Sequence, residues 1–191
     1  MQKSELLSVF YLLIDRELVN KPIRTIAETA GVSVGSVHSV LTTLTEQGFI
    51  VEQGKTRKLR KRDALIDRWA YAYADSLKSK LFISRFSFLS AKVREEWREI
   101  VLPLSCAWGG EPASAMQDNY LEPGRWDVYV AENANALITT GRMIPCAQGE
   151  IYVYKRFWHT DETPLLVVYA DLLGSGDDRN KEAAERIRLL L

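Results

Sequence analysis

The sequence has few residues of the kinds that build disulfide frameworks and metal centres. It contains two histidines and two cysteines, Cys106 and Cys146, among 191 residues. So few cysteines exclude a disulfide framework, and neither has a partner at the spacing of a zinc site. No apolar run approaches the roughly 20 residues needed to cross a bilayer, and the first residues lack the continuous apolar block of a signal peptide. We therefore expect a soluble cytoplasmic protein without a metal, a cofactor or a membrane partner.

The sequence also lacks a net charge, because its 25 Lys and Arg residues balance its 25 Asp and Glu residues. The balance hides an uneven distribution: residues 1–62 carry a net charge of +4 and residues 63–191 a net charge of −4. Six of the eight residues in 55–62 are basic. Such a block is often only a solvated surface, but beside a DNA-binding motif it becomes a phosphate-binding element.

The first part of the chain has the pattern of three short helices. Apolar residues recur at helical spacing in residues 4–19, again in 23–30, and again in 34–47. Gly31 is suited to end the second helix, and Ser33 is suited to cap the third. Two short helices joined by a tight turn that contains glycine are typical of a helix-turn-helix, whose second helix reads the major groove of DNA.

A wing is predicted directly after this motif. A β-favouring run at 49–52 is followed by the turn residues Gln53 and Gly54, and then by the basic block. The segment TIAETAGVSVGSVHSVLTTLTEQGFIV, at residues 25–51, resembles the winged-helix family. The resemblance implies a winged helix-turn-helix that binds DNA, although some winged helices bind proteins and that alternative stays open.

The candidate DNA-binding residues follow from the side of the third helix that is expected to be buried. If Val37, Leu41 and Leu44 point inward, then hydroxyl groups and one imidazole lie on the exposed side, where they can bond phosphates or base edges. Basic residues of the wing would add affinity that is independent of the DNA sequence. The predicted DNA-binding residues are Ser33, Ser36, His38, Ser39, Thr42, Thr43, Lys55, Arg57 and Lys58.

The predicted interface is small and has little capacity for direct readout. The third helix lacks the Arg or Lys that most often contacts guanine, and an exposed residue without special chemistry is an equally good interpretation of His38. A single copy would bind weakly. We therefore expect a homodimer, or copies bound in tandem, on double-stranded DNA with repeated half-sites.

The remainder of the chain predicts a helix followed by a mixed domain. An apolar stripe from Ile66 to Leu81 has helical spacing. Beyond residue 86 short strand and helix patterns alternate, which is typical of a small α/β sheet. The predicted fold class is α+β, with a winged helix-turn-helix in 1–62, a connecting helix in 63–85 and a mixed α/β effector domain in 86–191.

Four short segments, taken in order, resemble a known family. They are ALIDRWAYAY at 64–73, WGGEPASA at 108–115, DVYV at 127–130 and VYADLL at 168–173. After a winged helix, this order is similar to the AbiEi-type antitoxins of type IV toxin–antitoxin systems, also described as transcriptional regulators. The resemblance implies a repressor that binds its own promoter and counters a nucleotidyltransferase-like toxin without binding it tightly. Such proteins often carry a segment before the winged helix, so this chain is expected to be a short or truncated member.

Two other functions stay open. A ligand-sensing regulator would bind a small molecule in the second domain. Aromatic residues would line its pocket, although core packing explains them equally well. The candidate lining residues are Trp108, Trp126, Tyr129 and Trp158.

The second alternative is a magnesium-dependent nucleotidyltransferase built on the turn at Gly109-Gly110 and the carboxylate of Asp127. A metal pair needs a second carboxylate two residues further along the strand, and Tyr129 stands there instead. Asp127 is therefore expected to be a structural or surface carboxylate. Asp171 is interpreted as part of the solvated polar surface near the last helix. We predict no enzymatic activity and no catalytic residues.

Overall fold

A computed structural model describes residues 1–54, 56–139 and 142–191. The chain divides into two compact units, Met1–Leu77 and Lys78–Leu191. Each has its own buried core, and together they have the α+β class predicted from the sequence. Within the described residues, no helix is both long enough and apolar enough to span a bilayer.

The first unit consists of four helices and a two-stranded antiparallel wing. Its elements are α1 (Lys3–Ile14), a 3-10 turn (Leu18–Asn20), α2 (Ile23–Ala30), α3 (Val34–Glu46), β1 (Ile50–Gln53), β2 (Thr56–Leu59) and α4 (Arg62–Ser76). The buried indole of Trp69 on α4 stacks on Tyr73 and donates a hydrogen bond of 2.8 Å to the carbonyl of Leu6 on α1. This contact joins the first and last helices of the unit.

The turn between α2 and α3 has the conformation that its residues favour. Gly31 ends α2 with a φ of +63°, in the left-handed region that glycine adopts without strain. The hydroxyl of Ser33 accepts a hydrogen bond of 3.1 Å from the amide of Ser36 and so caps α3. The side chains of α3 that face the core are Val37, Val40, Leu41 and Leu44, which confirms the predicted buried stripe.

The helix predicted over 63–85 ends earlier than expected. Helix α4 stops at Ser76 and packs within the first unit, a short helix α5 (Lys78–Leu81) follows, and then Phe82–Phe88 form a strand, β3. The prediction of helix for 82–85 is therefore wrong. Burial alternates at the end of the strand, where Phe86 and Phe88 are buried, and pairing with two other strands holds the chain extended directly after the helical stripe ends at Leu81.

The second unit is a five-stranded mixed sheet packed with helices. Its remaining elements are α6 (Ala91–Glu95), a 3-10 turn (Trp97–Glu99), β4 (Cys106–Gly109), α7 (Gly110–Asp118), β5 (Trp126–Val130), α8 (Asn135–Thr139), β6 (Met143–Pro145), β7 (Ile151–Lys155), α9 (Leu165–Leu173) and α10 (Asp178–Arg188). The strand order is β4-β5-β7-β3-β6; β5 and β7 are parallel, and the other pairs are antiparallel. Every residue of β5 is buried.

Candidate nucleic-acid interface

The exposed side of α3 carries most of the residues predicted to bind DNA. His38, Ser39 and Thr42 are exposed, and Thr43 is half-buried beside them. Ser33 is exposed at the cap position before the helix, and Ser36 is half-buried in its first turn. The polar side chains therefore lie where a helix of a helix-turn-helix would face the major groove.

Several of the hydroxyl groups on this side are already hydrogen-bonded inside the protein. The hydroxyls of Ser33 and Ser36 bond each other at 2.8 Å. The hydroxyl of Thr42 donates to the backbone carbonyl of His38 at 3.0 Å, one helical turn earlier. A donor that is committed to the helix has less to offer a base edge, so these hydroxyls are weaker candidates for direct readout than the sequence pattern indicated.

The predicted residues do not form one cluster, because they lie along two different grooves. The first groove separates α3 from the start of α1, and Ser36, Ser39 and Thr43 line it. The second lies between α3 and the wing, where His38 and Thr42 are close to Arg57. Of the predicted α3 residues, which all lie in the described part of the chain, His38 and Thr42 are the ones that line the groove shared with the wing.

Arg57 has a different environment from the one expected for a phosphate contact. Its backbone amide donates to the side-chain oxygen of Asn20 at 2.7 Å, and its guanidinium donates to the carbonyl of Lys21 at 3.1 Å. Glu52 lies opposite it in the antiparallel register of the wing. Arg57 therefore attaches the wing to the 3-10 turn, while Lys58 points to the other side of the strand and is exposed.

Two basic residues that were not among the predicted DNA contacts are exposed like Lys58 and can contact phosphate equally well. Arg60 and Lys61 are exposed at the end of the wing. Arg62 is half-buried, and its guanidinium donates to the carbonyl of Leu13 at 3.0 Å. The basic block at 55–62 was the sequence signal for Arg60 and Lys61. The fold is needed to tell the exposed cations of this block from Arg57 and Arg62, which donate hydrogen bonds to backbone carbonyls. Lys55 lies outside the described residues.

The second unit contains a buried ionic cluster where the nucleotidyltransferase alternative placed a metal. The ammonium of Lys78 lies 2.6 Å from Asp127 Oδ2 and 2.8 Å from Asp171 Oδ1. Arg125 Nε donates to the other oxygen of Asp127 at 2.8 Å. Two side-chain cations thus neutralise two carboxylates. Asp171 is only 4% exposed, so the interpretation of this residue as part of a solvated surface is wrong.

The residues around Asp171 explain the Gly-Gly turn without a phosphate. The hydroxyl of Tyr129 donates to Asp171 at 2.9 Å, and the amide of Gly110 donates to it at 3.1 Å. A Cβ atom at Gly109 would lie 2.4 Å from the ring of Tyr129. The turn has glycine because the tyrosine packs directly against the backbone.

Lys78 and Asp127 stabilise each other's charged form, whereas Asp171 differs from both. Burial raises the pKa of Asp127, but Lys78 and Arg125 outweigh this effect and hold it below its ordinary value. Burial dominates at Asp171 and raises its pKa. Burial lowers the pKa of Lys78, yet the two aspartates raise it above its usual range. In the part of the chain that the structure describes, no group of three or more His, Cys, Asp or Glu residues is arranged to hold a metal ion.

Of the four aromatic residues proposed to line a ligand pocket, Tyr129 and Trp158 pack against each other, with ring centroids 4.8 Å apart. Trp108 borders a surface groove of about 480 Å³ together with Ile100 and Met116. Trp126 packs on Phe88 inside the core, and the remaining two aromatic side chains are buried as well. Trp126, Tyr129 and Trp158 thus pack in the core, which was the alternative interpretation of these aromatic residues.

Comparison with known proteins gives one match. Residues 58–190 match the family described as "Transcriptional regulator, AbiEi antitoxin, Type IV TA system". No curated protein and no solved structure matches the chain. The matched residues cover the end of β2, α4 and nearly all of the second unit, and they begin after the helix-turn-helix.

Proposed function

Because the chain belongs to the AbiEi antitoxin family of transcriptional regulators of type IV toxin–antitoxin systems, we propose that it binds the promoter of its own operon and represses it. The observation that carries the proposal is the pairing, in one compact unit, of a polar exposed helix α3 with a wing whose end has three exposed cations. Those cations are Lys58, Arg60 and Lys61. The family match does not include α3, so the DNA-binding role rests on the fold.

The two elements have separate tasks in this proposal. Helix α3 enters the major groove and gives the protein its register on the DNA. The cations of the wing contact phosphates, and the release of counterions makes this part of the affinity independent of sequence and sensitive to salt. One copy offers few contacts, so repeated half-sites are bound by a homodimer or by copies in tandem.

The second unit serves the antitoxin role in this proposal, by opposing a nucleotidyltransferase-type toxin without tight binding and without a reaction of its own. The carboxylates that resemble a nucleotidyltransferase site, Asp127 and Asp171, are neutralised by Lys78 and Arg125. An assay with labelled nucleotides, Mg²⁺ and an RNA acceptor tests this point. We expect no label transfer under conditions in which a known nucleotidyltransferase transfers label, and transfer by the intact chain would contradict the proposal.

The test of DNA binding uses fluorescence anisotropy with the chain's own promoter DNA over a series of salt concentrations. We expect the triple variant Lys58→Gln, Arg60→Gln, Lys61→Gln to bind all duplexes more weakly. The slope of log affinity against log salt should fall by about 0.9 for each phosphate that the variant no longer neutralises.

The matched control removes the same number of positive charges from the surface of the second unit. Lys92, Lys155 and Lys181 are exposed there, and their replacement by Gln should leave the slope unchanged. If both triple variants lose affinity equally, the effect is one of net charge and the wing assignment is wrong.

The antitoxin role is tested by co-expression with the nucleotidyltransferase-type toxin that the proposal assigns to the chain as its functional partner. We expect the intact chain to restore growth and the triple wing variant to restore it equally when both genes are expressed from foreign promoters. Failure of the intact chain to restore growth would contradict the antitoxin proposal without affecting the test of DNA binding.

A further inference from the structure

The start of α3, the part that reaches base edges in a helix-turn-helix, is apolar. Its first residue, Val34, is 48% exposed, whereas Val37 and Val40 on the same helix are buried. An exposed, β-branched apolar side chain at the start of a recognition helix is suited to contact an apolar group of the bound DNA.

The polar groups near Val34 are poorly suited to select a base. No residue of α3 is Lys or Arg, so the bidentate contact to guanine is absent from the helix. The hydroxyls of Ser33 and Ser36 are bonded to each other, and the former also caps the helix. Selection by hydrogen bonds from the first turn is therefore weak.

Gly35 leaves room beside Val34. A Cβ atom built at this position would have only one heavy atom within 4 Å, the hydroxyl oxygen of Ser33 at 4.0 Å. The backbone of the first turn can therefore approach a base pair closely. Ser39 lies one helical turn beyond Gly35, on the side of α3 that lines the groove toward α1, and is exposed.

We propose that Val34 contacts the C5-methyl group of a thymine in the major groove, and that α3 thereby selects A·T pairs at this position. The thymine methyl is the apolar group that the major groove presents. This inference rests on the proposed DNA binding and names its specificity. Gly35 permits the close approach that the contact needs.

The size of the effect follows from the group involved. Burial of one methyl group contributes about 0.8 kcal/mol, which corresponds to about a fourfold change in affinity. Removal of one thymine methyl from each of two half-sites would multiply the effects, to about sixteenfold for a dimer that contacts both. Both values are measurable by anisotropy.

The experiment replaces each thymine of the promoter duplex by deoxyuracil in turn, which removes the methyl group and leaves the hydrogen-bonding pattern intact. We expect about fourfold weaker binding of the intact chain at one thymine in each half-site. Replacements elsewhere should have little effect. The variant Val34→Ala should bind the parent duplex about as weakly as the intact chain binds a duplex with deoxyuracil at that thymine in both half-sites, and should show no further weakening when those thymines are replaced.

Two further variants separate the contact from a general defect. Val34→Ile keeps an apolar branched side chain and should retain the sensitivity to deoxyuracil. Val101→Ala makes the same chemical change at a valine of the second unit that is 84% exposed, and should change neither affinity nor sensitivity. Thermal unfolding of each variant checks that the fold is intact.

The outcomes distinguish this inference from the function on which it rests. Specific binding to the promoter without sensitivity to any deoxyuracil would overturn the thymine contact and leave the DNA-binding role in place. Equal sensitivity of the parent and Val34→Ala at the same thymine would assign the contact to another residue. Absence of specific DNA binding would overturn both.

Discussion

The ammonium of Lys78 lies 2.8 Å from Oδ1 of Asp171, whose side chain has no exposure to solvent. The same ammonium bonds Asp127 at 2.6 Å, so one cation is shared by two buried carboxylates on different elements. Removal of the cation would leave the two buried carboxylates without this neutralising charge. The cluster therefore holds α9 to β5 and to the first residue of α5.

We predict that Lys78→Met destabilises the second unit by about 3–5 kcal/mol, the usual cost of removing one partner of a buried ion pair. Urea unfolding monitored by tryptophan fluorescence measures this loss of stability, because four of the five tryptophans lie in this unit. The control Lys181→Met removes an exposed lysine that pairs with Asp178, and should change the midpoint little. Equal midpoints for both variants would show that the cluster adds no stability.

Alkaline pH is expected to destabilise the second unit through Tyr154. Burial and the charge of Asp127 raise the pKa of this tyrosine to about 12, above the value of about 10 in an unfolded chain. The contribution to stability is complete below pH 10 and is lost as the pH rises toward 12. The free energy of unfolding should fall by about 1.4 kcal/mol per pH unit for this proton.

The variant Tyr154→Phe tests that assignment. Its free energy of unfolding should depend less steeply on pH between about 10 and 12 than that of the parent. Tyr71→Phe, at an exposed tyrosine of the first unit, serves as the control and should keep the parent slope. An unchanged slope for Tyr154→Phe would mean that other groups cause the alkaline transition.

Ser33 and Ser39 are expected to differ in what they do, although both were predicted to bind DNA. The hydroxyl of Ser33 caps α3, and Ser33→Ala should lower the stability of the first unit by about 1 kcal/mol. Ser39→Ala should leave stability unchanged and weaken binding to the promoter. Circular dichroism and anisotropy on both variants check this, and a reversal of the two effects would contradict the assignment of the cap.

Gly109 is expected to tolerate no side chain. A Cβ atom would lie 2.4 Å from the ring of Tyr129, so Gly109→Ala should destabilise the second unit by about 1–3 kcal/mol through overpacking. Gly35→Ala is the control, since a Cβ atom there meets no close neighbour and alanine favours the helix by up to about 1 kcal/mol. A neutral Gly109→Ala in urea unfolding would show that the tyrosine can move aside at no cost.

Local signals explain why the helix-turn-helix could be predicted. The proline before Ile23, the glycine at the end of α2 and the serine cap of α3 act within a few residues of the helix ends they fix. The wing could also be predicted from local residues, because its two strands are close together in the sequence.

Strand β3 and the buried ionic cluster depend on contacts between residues far apart in the sequence. Strand β3 was not recognised because an apolar stripe of helical spacing runs up to Leu81, directly before it, and pairing with β6 and β7 makes Phe82–Phe88 a strand. Lys78 is 49 residues from Asp127 and meets it through the fold. A signal did exist, because Asp127 and Asp171 each interrupt an otherwise apolar element, and a buried charge there requires a partner.

The most direct test of the account compares the affinity of the intact chain for its own promoter with that for an unrelated duplex of equal length and base composition. At physiological salt we predict that the promoter is bound at least about a thousandfold more tightly, as for other specific DNA-binding proteins. Affinity for both duplexes should fall as salt rises. Equal affinity for the two duplexes, or no binding to either, would contradict the claim that this antitoxin-family protein is a promoter-specific regulator.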